Sequence, residues 1–140
     1  MDMSDFLAPV LALIIWTLVV WIILYAKRLP ALIKSGDLGD DIKSPDGKWK
    51  QAIPLKIQAP AHNYNHLLEQ PTIFYALMFF AALTGEMHAW VTYLGWAYFA
   101  LRVLHSIIQM SATYRIELRF GVFALSTLCL FGMVGVILLA

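Results

Sequence analysis

The sequence predicts an all-α membrane protein, a single domain built as a bundle of four transmembrane helices. Three observations carry that prediction. Hydrophobic residues make up 61% of the 140 residues and charged ones 14%, against about 45–50% and about 25% in soluble domains. Mean hydropathy is +0.71, which means more apolar surface than a soluble domain of this size can hide, and the reverse of a disordered composition. The apolar residues also fall into four runs, each close to the roughly 20 needed to cross the hydrocarbon core of a bilayer.

The first run predicts a span over 6–26, with Pro9 tolerable in its opening turn. Asp2 and Asp5 precede it where a signal peptide would carry lysines, and no small-residue cleavage site follows. It therefore reads as a retained span. The connection 27–62 holds four of the six prolines (Pro30, Pro45, Pro54, Pro60) and the turn signal Ser44-Pro45-Asp46-Gly47. Trp49 among Lys48, Lys50 and Lys56 reads either as a stretch resting on the lipid interface or as a solvated loop. The second span, 63–84, is entered through His62-Asn63-Tyr64-Asn65-His66 and left by a tight turn at Gly85-Glu86. The third covers 87–109, with His88 and Trp90 as headgroup anchors and Glu86 solvated beside them. The fourth covers 117–140 and carries no charge from Phe120 onward. It includes the single cysteine, Cys129, which excludes an internal disulfide and a Cys-rich metal site and reads as a small hydrophobe.

Lysine and arginine counts predict orientation. The first connection carries seven (Lys27, Arg28, Lys34, Lys43, Lys48, Lys50, Lys56) and the link between spans three and four carries Arg115 and Arg119. The termini and the turn between spans two and three carry none. Both basic connections are expected in the cytosol and both termini outside it. A net charge of +1 is no footprint for nucleic acid.

Polar residues gather at the cytosolic end. Glu69 lies six residues after Asn63, about 9 Å into its helix, and Arg102 seven before Gln109, about 10 Å deep by the same rise. A charge facing lipid at a helix centre costs about 2.5–3.5 kcal/mol, so both are expected to point into protein or a wet cavity. At 100° per residue His62, Asn65, His66 and Glu69 share one face, and Gly95, Tyr98, Arg102, His105, Ser106 and Gln109 fall on one stripe of span three. Gln70 lies on the flank of the first face. The expectation is a cleft with Glu69 opposite Arg102, closed by Arg115 and Arg119 and suited to an anionic, hydrogen-bonding ligand.

Other readings stand beside it. Interhelical hydrogen bonds of about 0.6 kcal/mol each would also use such groups, purely to hold a bundle together. His62 and His66, with Glu69 and His105, have donor types that zinc or iron accept, although no metal is assigned. Phe74, Tyr75, Phe79 and Phe80 read as lipid-facing or core packing, or as the wall of a hydrophobic substrate groove.

The run from Asn63 to Tyr75 (NYNHLLEQPTIFY) resembles span two of the membrane-associated proteins in eicosanoid and glutathione metabolism, and is similar in wording to that family's bacterial branch. Leu101-Arg102-Val103-Leu104-His105-Ser106 looks like the R-x-x-H-S/T signature of its third span. The resemblance covers the whole chain. It implies a homotrimer in a bacterial inner membrane that binds glutathione between subunits near the cytosolic face and acts on lipophilic electrophiles or lipid hydroperoxides. By the same resemblance Asn65, His66, Glu69, Arg102, His105 and Arg115 would hold glutathione, and Arg119, with a one-residue shift, would stabilise its thiolate. The chain departs from the family's R-x-x-R-N-x-x-E pattern, reading His62, Asn65 and His66 where that pattern has Arg, Arg and Asn, and Gln109 stands where a tyrosine is usual. A non-catalytic scaffold or lipid-binding subunit on the same fold is the alternative.

Overall fold

The computed structural model describes residues 2–34, 64–65, 67–110 and 116–140. Among these residues the regular structure is all helix, with short α1 (Met3–Phe6), then α2 (Ala8–Lys34), α3 (Pro71–Thr84), α4 (Ala89–Met110) and α5 (Ile116–Leu139), and without strands. Four stretches are long and apolar enough to cross a membrane: Ala8–Pro30, Leu67–Thr84, Ala89–Met110 and Glu117–Leu139. In a hydrocarbon solvent every backbone N–H must find a carbonyl within its own segment, so runs rich in β-branched Val and Ile still become helices.

Two prolines mark where that ladder is adjusted. Leu7 separates α1 from α2 and leaves Pro9 in the opening turn of α2, where its missing N–H breaks no bond. Pro71 opens α3. The Ile73 N–H turns to the Gln70 carbonyl at 3.0 Å, and the Thr72 hydroxyl donates to the bypassed Glu69 carbonyl at 2.7 Å. α2 also continues through Pro30 to Lys34, into residues assigned to the connection on composition. A helix can outlast the bilayer, and a single proline removes one rung without ending it.

Side-chain contacts define an up-and-down arrangement. On α2 and α4, Pro9 neighbours Gly95 and Trp16 meets Ser106, so these helices run parallel. On α4 and α5, Leu94 neighbours Gly132 and His105 faces Phe123, so these run antiparallel. α4 is the central element, packing along α5, beside α2, and against α3 through the stacked rings of Phe74 and Tyr98, 4.6 Å apart. The core between them holds Phe6, Leu13, Leu67, Phe74, Met78, Val91, Tyr98 and Met133. Leu11, Ile15 and Ile22 of α2, Ile73 and Phe80 of α3, and Leu128 and Phe131 of α5 face outward. In lipid that apolar exterior carries no penalty.

A buried polar layer and an outward carboxylate

The stripe on α4 lies inward along its length. Gly95, Tyr98, Arg102, His105 and Ser106 are buried, Arg102 with none of its surface exposed and His105 with 2%. Each position reaches the interior because the spacing 95, 98, 102, 105/106 follows the helical repeat, and the glycine lets Pro9 of α2 and Met78 of α3 close over the helix. Around this stripe the other helices contribute polar groups. Trp16 of α2 donates its indole N–H to the Ser106 hydroxyl at 3.0 Å. Phe123 of α5 sets its ring 6.2 Å from that of His105. Arg102 lies within electrostatic reach of the Tyr75 and Tyr98 hydroxyls.

One turn along α4, Gln70 forms a clasp across three helices. The Tyr98 hydroxyl donates to Gln70 Oε1 at 3.3 Å, and Gln70 Nε2 donates to Thr127 Oγ1 at 2.8 Å. Thr127 passes its own proton to the Phe123 carbonyl at 3.0 Å, and neighbouring Ser126 donates to that same carbonyl at 2.7 Å. Each of these four bonds runs from a hydroxyl or amide donor to an oxygen acceptor, which lowers the cost of polar groups in a low dielectric. Sequence reasoning put Gln70 on a flank and passed over Trp16, Ser126 and Thr127. The two adjacent hydroxyl residues in an otherwise apolar fourth span were the available signal.

The expected pairing of Glu69 with Arg102 is not formed. Leu67, Pro71, Phe74, Met78, Ala81 and Ala82 are buried on this stretch, and Glu69 stands about 200° of helix rotation from Leu67, on the opposite side. Its side chain is exposed while Arg102 is enclosed, and among the described residues no ion pair joins them. Asn65 is exposed too. It lies four residues before Glu69, so the two share a face, and that face turns out of the protomer. Among the described residues, then, Asn65 and Glu69 do not meet the polar stripe of α4 within one protomer. Arg119 is exposed in the first turn of α5. His66, Arg115 and His62 lie outside the described residues.

At the far end Gly85 closes α3 in the left-handed region, φ +80°, and the Glu86 N–H reaches back to the Ala81 carbonyl at 2.8 Å. Glu86, expected to be solvated, is partly exposed and pairs with His88 at 2.7 Å. Trp90 is 67% exposed with Tyr93 edge-on beside it, as interfacial anchors are. Phe74 is core, whereas Phe79 and Phe80 face outward.

No curated protein and no solved structure matches the chain significantly. The sequence profile of the MAPEG family, in contrast, matches residues 6–139, nearly the whole chain and all four candidate spans. With that match, the four apolar helices and the inward polar stripe of α4, the chain belongs to the MAPEG family of integral membrane proteins.

Proposed function

We propose that the protein is a glutathione-dependent transferase or peroxidase of the family's bacterial-type branch. It acts as a homotrimer on lipophilic electrophiles or lipid hydroperoxides in a bacterial inner membrane. The observation that carries this reading is the outward face bearing Asn65 and Glu69. A carboxylate turned to lipid costs about 2.5–3.5 kcal/mol at mid-bilayer. A second copy packed over that face removes the cost and makes the subunit boundary a polar place inside the membrane.

The residue set suits an anionic tripeptide with one ammonium group. Glu69 complements the ammonium, Asn65 and His66 offer neutral hydrogen bonds, and Arg115 and Arg119 complement carboxylate and thiolate. Arg102, buried beneath, adds positive field, and His105 packs beside it on α4. Bound glutathione supplies a thiol that adds to an electrophilic carbon or, with a second glutathione, reduces a hydroperoxide to an alcohol and water and leaves as the disulfide. A thiol of pKa about 8.5 is mostly protonated near neutral pH, and a guanidinium beside it favours the nucleophilic thiolate. Arg119 has that role here, reinforced by the positive end of the helix dipole at the first turn of α5. Nine lysines and arginines on the two basic connections against none on the opposite side support a cytosolic site with both termini outside.

The test is the ultraviolet thiolate absorbance on adding glutathione to detergent-purified protein. Wild type should show it. Arg119→Leu should abolish it and lower turnover of a test electrophile about 100-fold, while glutathione binding weakens by only about 1–3 kcal/mol for the lost charged hydrogen bond. Arg115→Leu should weaken binding and keep the thiolate. Wild-type protein that forms no thiolate at saturating glutathione would refute the enzyme and assign the chain to the scaffold class.

A further inference from the structure

The backbone ladder is broken at the entry to α3. Pro71 has no N–H to return to the Leu67 carbonyl four residues back. The Ile73 N–H goes to Gln70 instead of Glu69, and the Thr72 hydroxyl serves the Glu69 carbonyl in its place. A helix that loses rungs beside a proline bends there. The ladder alone therefore does not set the direction of the turn before Pro71, which carries Asn65 and Glu69 out of the protomer.

Gln70 stands at the break. Its backbone is still helical, φ −63° and ψ −39°, and its side chain crosses to two other helices. The Tyr98 hydroxyl of α4 donates to Oε1 at 3.3 Å, and Nε2 donates to Thr127 Oγ1 of α5 at 2.8 Å. Tied to two helices, the amide locates the break in two directions at once. With that amide directed inward, Glu69, about 100° back on the same turn, is carried to the outward side together with Asn65. An apolar side chain of the same length would give no such direction, because apolar contacts scarcely distinguish a neighbouring helix from lipid tails.

We propose that Gln70 is a positioning residue: by pinning the break to α4 and α5 it aims the turn that bears Asn65 and Glu69, and so sets how tightly that face holds glutathione. The effect on binding rests on the glutathione reading above, whereas the pin rests on the two hydrogen bonds, and separate measurements read them.

For the pin, the full chain carrying Cys129→Ser is spin-labelled in lipid nanodiscs through Leu68→Cys before the break and Leu138→Cys on α5, both outward-facing positions. Labelled copies are diluted among unlabelled ones. Electron–electron resonance should give one narrow distance with Gln70 in place and a severalfold broader distribution in Gln70→Met, which keeps the length and removes both bonds. Thr127→Val removes only the α5 acceptor and should broaden it less, and it carries the test should Gln70→Met fail to fold. Thr127→Ser keeps a hydroxyl and should match the unchanged clasp. For binding, Gln70→Met without labels should raise the glutathione KM about tenfold, the scale of a lost hydrogen bond. Its kcat and thiolate absorbance at saturating glutathione should be kept, because Arg119 lies on another helix. An unchanged distance distribution in Gln70→Met would overturn the pin, whatever the kinetics. A broadened distribution with an unchanged KM, or with kcat falling as far as KM rises, would overturn its role in binding. Broadening in Gln70→Met alongside wild-type protein that binds no glutathione would overturn the glutathione reading and leave the pin standing.

Discussion

Arg102 and Glu69 carry opposite charges and sit at similar depth by residue count, yet rotation about the helix axis separates their roles. Arg102 is the largest of the fully buried side chains among the described residues. Truncating it opens a cavity lined by polar groups, so Arg102→Ala should cost about 3–5 kcal/mol, the range for removing a large buried side chain. Glu69→Ala removes a side chain that touches little of its own protomer. The unfolding of a single protomer should shift by only about 0.5 kcal/mol, while the fraction of the proposed trimer in detergent, read by light scattering, should fall. The two losses should add in the double mutant, because the residues share no contact. Non-additive thermal unfolding would restore the pairing inferred from charge alone.

At the level of elements, the α4 stripe was legible because helical periodicity is local: positions 95, 98, 102 and 105 follow from one helix, whatever surrounds it. The inward side of α3 was less legible. Its polar residues outnumber its apolar ones before Pro71, and burial there follows Leu67 and Phe74, not the charges. The Trp16–Ser106 and Gln70–Thr127 bonds join residues 90 and 57 positions apart, and no spacing rule within a segment reports on such distances. Gly85 was read correctly as a turn, and its φ of +80° gives the reason. A Cβ there would meet no neighbour, so Gly85→Ala isolates backbone strain, about 1–2 kcal/mol for an L-residue in the left-handed region. Thermal unfolding of that variant should show the loss, with the helix content of the folded state unchanged.

For the whole molecule, the distribution of cations predicts which end faces the cytosol. Ser44→Cys in the first connection should react with an impermeant maleimide only after cells are opened, and labelling of intact cells would invert the topology and move the proposed site with it. The Gln70 amide has a further consequence, for the order of assembly in the membrane. Each apolar helix can enter the bilayer on its own, since its backbone is already satisfied. Lipid tails compete with Leu and Phe side chains on equal terms, so apolar contact alone leaves a helix free to spin about its axis. α4 and α5 are joined by a short link and meet along much of their length, which lets them pair first. Tyr98 then presents a donor and Thr127 an acceptor at a fixed separation, and a single rotational setting of α3 satisfies both. The amide is a key whose lock exists only where α4 and α5 lie paired, and it holds α3 in one register.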